Sequence, residues 1–335
     1  MSWNGRAWLD RCLPSVLALD PPAAEVIVVD NGSTDGTPDY VRRAHPDVRV
    51  VALDRNLGFA GGNNAGAREA TSPYLVFLNN DAEVDSAWLA ALIEPAEADA
   101  EVGLVTSRIV FMDRPDVVDS AGDGYLRCGG AYKRDHGMAA PPARSAVEVF
   151  GACGAAFLIR RSLFEDIGGF DDDFFMVYED VDLSYRARLR GALCVYAPAA
   201  VVLHAGSTSI GHVSAQQVFY GQRNLEWTWI KNTPSRLLWR SILSHAMYDA
   251  AGVLGYARQG HLGVWLRAKM SALAGLPRML RKRVAIQRAS RVDPERLWTL
   301  MAPDWITIKR REKAFDFERA DRGATFSPPP RSPGT

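Results

Sequence analysis

Asn79, Asn80, Asp81 and Glu83 put two carboxylates and side-chain amides within five residues. Mg2+ and Mn2+ take oxygen ligands, so this cluster is a candidate divalent-cation site. A second stretch, Asn56-Leu-Gly-Phe-Ala-Gly-Gly-Asn-Asn-Ala-Gly66, is rich enough in glycine for its backbone to approach a ligand closely and for its amides to face phosphate where a helix begins. Its glycines satisfy neither GxGxxG nor GxxxxGK[ST], so a dinucleotide or P-loop reading fails. Read alone, each feature also has an ordinary structural meaning. A strand ending in Asn-Asn-Asp is commonly a polar turn. Asp180 and Asp182 could cap the helix that follows them. His204 is a lone strand-end histidine, and Asp171-Asp172-Asp173 reads as a solvated turn, lacking the alternation and glycine of an EF-hand.

The elements that must carry these residues alternate. A first helix is expected over about Gly5 to Leu19, bent or shortened by Pro14. Glu25-Val-Ile-Val-Val-Asp30 reads as a buried strand ending in an acid, and Thr37-Pro38 as a helix start with a capping hydroxyl. Val48 to Leu53 reads as a strand, and a short helix is expected near Ala65 to Ala70. The apolar run Tyr74 to Leu78 suits a strand buried on both faces, delivering Asp81 to the rim where open α/β sheets bind ligands. A helix from about Ser86 and a strand Val102 to Phe111 complete a βαβ alternation. Met112 to Ser145 reads as a flexible excursion. Apolar order resumes at Val147 to Ile159, followed by a helix to Leu189 closed by Gly191 and a strand Leu193 to His204.

Composition bounds the rest. Of 335 residues, 47% are hydrophobic and 23% charged, as in ordinary globular proteins with a sizeable core. The zero net charge conceals an asymmetry: residues 1–230 carry 19 Lys and Arg against 31 Asp and Glu, and residues 231–335 carry 20 against 8. An acidic body argues against nucleic acid as a partner. Cys12, Cys128, Cys153 and Cys194 form no CxxC pair, so neither a zinc site nor a disulfide framework is indicated. The start has no signal-like region and no stretch of 18 apolar residues occurs, so a cytoplasmic location is expected, with the inner face of the plasma membrane as a further option.

Together the pieces are more specific. Val28-Val-Asp-Asn-Gly-Ser-Thr-Asp-Gly-Thr37, the Asn56–Gly66 stretch, Leu78-Asn-Asn-Asp-Ala82, Gly168-Gly-Phe-Asp171, Glu179-Asp-Val-Asp-Leu183 and His204 occur in fixed order. The set resembles family 2 glycosyltransferases of the rhamnosyltransferase-like branch, over about residues 2–230. The resemblance implies an α/β GT-A fold, a Rossmann-like, mostly parallel sheet flanked by helices. It would form a domain over 1–230, followed by a helical basic region over 231–326 and a disordered Pro-rich tail over 327–335. It also implies transfer, with inversion, of a sugar from a nucleoside diphosphate sugar to a glycan or lipid-linked acceptor, with dTDP-L-rhamnose as the leading donor.

Residue by residue, the resemblance puts Asp30 at the nucleobase and Asn56, Gly58, Gly61 and Asn63 around the nucleotide. It matches Asn79-Asn80-Asp81 to the family's Asp-x-Asp element, with Asn79 in place of the first Asp. Asp81 would hold Mg2+ or Mn2+ on the diphosphate with His204, and Asp180 would be the catalytic base. An ordinary Asp, with a pKa of about 3.9, is a feeble base at neutral pH, so the neighbours of Asp180 matter. Arg223, in Tyr220-Gly-Gln-Arg-Asn224, is a further candidate for diphosphate or acceptor contact.

The resemblance also implies an apolar strand just before Trp3-Asn4-Gly5, yet the chain starts at Met1-Ser2, so that central strand is expected to be missing. Either the natural protein is longer or the product lacks part of its nucleotide pocket and is a catalytically poor sugar-nucleotide-binding protein; unpaired backbone in a sheet favours the former. A nucleotidyltransferase shares the α/β pattern, but no Arg/Lys-bearing triphosphate loop lies near the start. The basic, apolar helices from Leu237 to Arg291 read either as a peripheral membrane contact or as a cap on the acidic body.

Overall fold

The computed structural model describes residues 1–140, 145–206 and 214–321, so the expected disordered tail over 327–335 lies outside the described residues. The first half alternates as the apolar runs dictate: α1 (Arg6–Leu17), β1 (Ile27–Asp30), α2 (Thr37–Ala44), β2 (Arg49–Ala52), α3 (Gly58–Glu69), β3 (Tyr74–Leu78), β4 (Ala82–Val84), α4 (Trp88–Ala98) and β5 (Val102–Phe111). Then come β6 (Arg114–Ser120), β7 (Asp123–Tyr125), β8 (Ala131–Lys133), β9 (Val147–Glu148), β10 (Ala156–Arg160), α5 (Arg161–Asp166), α6 (Glu179–Leu189) and β11 (Leu193–His204). Five helices follow: α7 (Ala215–Asn232), α8 (Ser235–Arg258), α9 (Leu262–Arg288), α10 (Pro294–Leu300) and α11 (Trp305–Asp321).

The main sheet has the order β3-β10-β5-β11-β4, with β6 paired to β5 and β9 to β11. Strands β3, β5 and β11 run one way, and β10 is inserted antiparallel between β3 and β5. Alternation along the strands fills both faces. Val105 and Leu158 pack on one side with Leu89 and Leu92 of α4. Leu104, Phe157 and Ile159 pack on the other with Phe77, Phe164, Phe170 and Leu183.

Four expectations need correction. The glycine-rich stretch is helical from Gly58, not from Ala65. Its start is held by side chains: Asn31 Oδ1 accepts from Leu57 N, and Asn56 Oδ1 accepts from Gly58 N. Glycine permits close packing here, since a Cβ on Gly66 would lie 2.6 Å from Val29 and one on Gly58 would meet Phe175. The Met112–Ser145 excursion is largely a buried structure of short antiparallel strands, with Val117, Val118, Asp119, Ser120 and Tyr125 all buried. The Asp171–Asp173 triplet is no solvated turn: Lys231, Arg278 and Lys282 of the C-terminal helices pair with it. The Thr37 hydroxyl does not cap α2 but donates to Asp35, which also accepts from Thr37 N.

The strands fall into separate sheets on either side of a cavity. β1 and β2 form a separate parallel pair, and Ser2 adds one parallel bridge to Asp30. Between β1 and β3 lies an apolar cavity of about 420 Å³, lined by both strands together with Leu9, Leu13 and Val16 of α1 and Trp88 of α4.

The C-terminal helices dock onto the body through their inner faces. Lys231 of α7 is fully buried and reaches Asp171 at 2.5 Å and Asp182 at 2.7 Å. Leu237, Leu297, Trp298 and Met301 pack on Val181, Tyr185 and Leu189 of α6. No helix among the described residues is long and apolar enough to cross a membrane.

Candidate active site

The half of the site around Asp81 and His204 is built by strand register. β4 pairs antiparallel with β11 so that Ala82 faces His204, which brings Asp81 beside the histidine. His204 Nε2 lies 3.3 Å from Asp81 Oδ1, while its Nδ1 lies 2.8 Å from Asp119 Oδ2. Asp119, on β6, is buried and is also held by Lys133 Nζ at 2.6 Å. The backbone oxygen of Asp119 receives His136 Nδ1 at 2.7 Å, and Nε2 of that ring lies 3.1 Å from Asp316 on α11. Burial works against ionised Asp119, but Lys133 and the two imidazoles outweigh it and hold the carboxyl well below its ordinary range. Burial likewise works against a charged His204, yet Asp81 and Asp119 push it up to about 9.

The half around Asp180 rests on a strained turn. Phe175, Val177 and Tyr178 have φ of 64°, 66° and 75°, sparsely populated values for residues other than glycine, most of all for a β-branched one. Asn224 of α7 ties this turn down by donating to the carbonyls of Phe174, Met176 and Val177 at 2.7–2.9 Å. The turn launches α6, whose first residues are Glu179 and Asp180. Asp180 Oδ2 accepts from Gly154 N and Oδ1 from Val181 N, each at 2.8 Å. Burial raises its pKa, against the opposing pull of those amides and of Lys133. Beside it sit Cys153 and the buried Asp123, with ligand atoms all within 4.8 Å of one another. Asp123 is pushed well up by burial and by the Asp180 charge.

A dipeptide joins the halves. Ala155 O accepts from Asn79 N while Gly154 N donates to Asp180, so Asn79-Asn80-Asp81 and Asp180 converge at one end of β3 and β10. Asp30 lies at the end of β1, linked through the Ser2 bridge and the bond from Asn80 Nδ2 to Ser2 Oγ at 3.1 Å. It is buried; Oδ2 accepts from Ser33 N, while Oδ1 has no protein partner. Such an orphaned buried oxygen suits a ligand's N–H. Asn56 is committed to Gly58 N and Asn31, and Asn63 Nδ2 donates to Phe59 O within α3. Gly58 and Gly61 pack against Phe175 and Leu57. Arg223 donates to the Asp173 and Phe174 carbonyls and stacks on Trp227, so its side chain is spent on the same turn. Asp182 is buried between Arg186, Lys231 and Asn232.

The donor set at Asp81 and His204 fits a divalent cation. One carboxylate oxygen and one imidazole nitrogen point at each other, and the second ring nitrogen is occupied by a carboxylate, as around many metal-binding histidines. The carboxylate oxygen suits Mg2+ and Mn2+ alike. Another acidic group, Glu226, His245 and Asp249, already holds the Lys269 ammonium and is an ion-pair network. Sequence reasoning missed Asp119, Asp123, Lys133 and His136. The available signal was Val117-Val118-Asp119, an apolar pair ending in an acid like the run before Asp30.

Comparison with known proteins gives a family and a fold. Residues 1–168 match the family described as Glycosyl transferase family 2. N-acetylglucosaminyl-diphospho-decaprenol L-rhamnosyltransferase of Mycobacterium tuberculosis H37Rv is 31% identical over 255 residues, covering 65% of this chain and 81% of that protein. Poly-beta-1,6-N-acetyl-D-glucosamine synthase of Staphylococcus epidermidis is 27% identical over 238 residues, covering 68% of this chain, which thus spans only 56% of the synthase. Among solved structures, mannosyltransferase PcManGT from Pyrobaculum calidifontis, in complex with GDP-Man and Mn2+, superposes with a TM-score of 0.51 at 21% identity, over 96% of this chain and 84% of that one. TarS of S. aureus gives 0.55 at 14% identity, over 96% of this chain and 54% of that one. At these identities the structural likeness speaks for the fold.

Proposed function

The chain belongs to glycosyl transferase family 2, and on that premise we propose that it moves a sugar, with inversion, from a nucleoside diphosphate sugar to an acceptor hydroxyl. Asp180 takes the acceptor hydroxyl proton, the oxygen bonds to the anomeric carbon from the face opposite the diphosphate, and the bond from that carbon to the phosphate oxygen breaks. The electron pair leaves on the diphosphate. A raised pKa makes Asp180 a better proton acceptor than an ordinary aspartate. Asp81 and His204 would hold Mg2+ or Mn2+, whose charge would offset that of the departing diphosphate. Asp30 accepts from the nucleobase through its unpartnered Oδ1. The Asn56–Asn63 segment and Asn79 border the nucleotide, with Gly58 and Gly61 allowing the close packing that holds them there.

The observation that carries this reading is the joining of Asn79–Asp81 to Asp180 through Gly154-Ala155. The donor we favour is dTDP-L-rhamnose, in keeping with the rhamnosyltransferase among the relatives. The acceptor is a growing cell-surface glycan or lipid-linked saccharide, met at the cytoplasmic face of an anionic membrane. The open slot between β1 and β3 favours a second reading, a sugar-nucleotide-binding protein with poor turnover. A donor panel with Mg2+ or Mn2+ and an acceptor extract, read by nucleotide release, separates the two. Acceptor-dependent release from one donor supports transfer; binding of nucleotide without release from any donor supports the second reading.

A further inference from the structure

Two long helices turn the wrong chemistry outward. Gln222 of α7 donates to the Tyr256 hydroxyl of α8 and accepts from Trp265 Nε1 of α9. Glu226, one turn on, pairs with His245 of α8 and Lys269 of α9. Helices α8 and α9 therefore lie side by side on one flank of α7, and the faces turned away from α7 form a common outer surface. Surface helices ordinarily put charge there. Here Trp239 and Leu243 are each 72% exposed, Leu254 59%, Met270 66% and Leu273 61%. Trp239 and Leu243 lie four apart and Met270 and Leu273 three, with Leu254 further along α8, on helices of 24 and 27 residues that extend roughly 36 and 40 Å. Apolar patches of such length are rare on a protein surface without a partner.

The rim of the patch identifies the partner. From Ser235 to Arg291 the sequence has eleven Lys and Arg and a single acid, Asp249, which is bound by Lys269. Arg258, Arg267, Arg281 and Arg288 are exposed, with no carboxylate in ion-pair range among the described residues. A second copy would bring the same arginines against these and repel. A layer of phosphates above acyl chains complements both features at once. We propose that the outer face of α8 and α9 lies in the headgroup layer of an anionic phospholipid bilayer, apolar side chains toward the acyl boundary and arginines at the phosphates. The helices lie on the membrane without crossing it, in keeping with their hydropathy. This deepens the functional reading by naming the surface where an acceptor is met, and its test needs neither donor nor acceptor.

The test is co-sedimentation of the full chain with vesicles of phosphatidylcholine alone or mixed with phosphatidylglycerol. The wild type is expected to pellet with the mixed vesicles and to stay in solution with phosphatidylcholine alone. The exposed triple variant Leu243→Gln, Met270→Gln, Leu273→Gln is expected to bind about tenfold or more weakly with an unchanged melting temperature. Replacing Arg258, Arg267, Arg281 and Arg288 with Gln is expected to abolish the preference for phosphatidylglycerol. Wild type left in the supernatant, or a triple variant that binds as well as wild type, would overturn the proposal. So would a dimer in vesicle-free buffer, seen by light scattering, that the triple variant converts to monomer.

Discussion

At the scale of single residues, the least obvious participant is Asp119. Its carboxylate fixes His204 through Nδ1, leaving Nε2 to face Asp81, and it neutralises Lys133 at the same time. A carboxylate behind a metal-binding imidazole sets the tautomer and strengthens the ligand. Asp119→Asn should therefore weaken Mn2+ binding in the presence of a nucleoside diphosphate by about 10–100-fold, as read by titration calorimetry or Mn2+ spin resonance. Because the change leaves the Lys133 ammonium without its carboxylate, Asp119→Asn with Lys133→Met serves as the control for folding. Unchanged Mn2+ affinity in both proteins would show that Asp119 is no more than scaffold.

At the scale of elements, α7 acts on chemistry it does not touch. Three carbonyls of a turn with three positive φ values converge on one Asn224 amide, and that turn aims Asp180. Each such backbone conformation costs about 1–3 kcal/mol and persists only when neighbours hold it. Asn224→Ala is expected to reduce kcat by about tenfold or more, with much less change in donor KM. A variant with wild-type kcat would mean the turn holds itself. The elements were unevenly legible in the sequence. Val102–Phe111 and Leu193–His204 stand out because long apolar runs bounded by turn residues leave little choice. Strands β6 to β8 were hidden because their buried polar residues are satisfied by partners distant in the chain: Asp119 meets His204 85 positions on. A helix starting at Gly58 was hidden as well. Its glycines argue for a loop until the strand and turn packed against them are known.

At the scale of the whole molecule, the charge asymmetry becomes architecture. The acidic body and basic tail meet through Lys231, Arg278 and Lys282 on Asp171, Asp173 and Asp182, while Arg258, Arg267, Arg281 and Arg288 have no carboxylate in ion-pair range among the described residues. The β1–β2 pair stands apart from the main sheet, and the apolar cavity lies between β3 and β1, the strand that ends in Asp30. Residues 81 and 180, far apart in the chain, come to the same end of β3 and β10 because β10 inserts between β3 and β5 and is preceded by Gly154-Ala155, which bond Asp180 and Asn79. The central claim is that Asp180 is the group that takes the acceptor proton there. The most direct test is single-turnover sugar transfer by Asp180→Asn, with Mn2+ and donor affinity measured on the same protein. The expected result is a loss of about 10²–10⁴-fold in rate with binding retained; transfer within threefold of wild type, by about the scatter of such assays, would contradict the account.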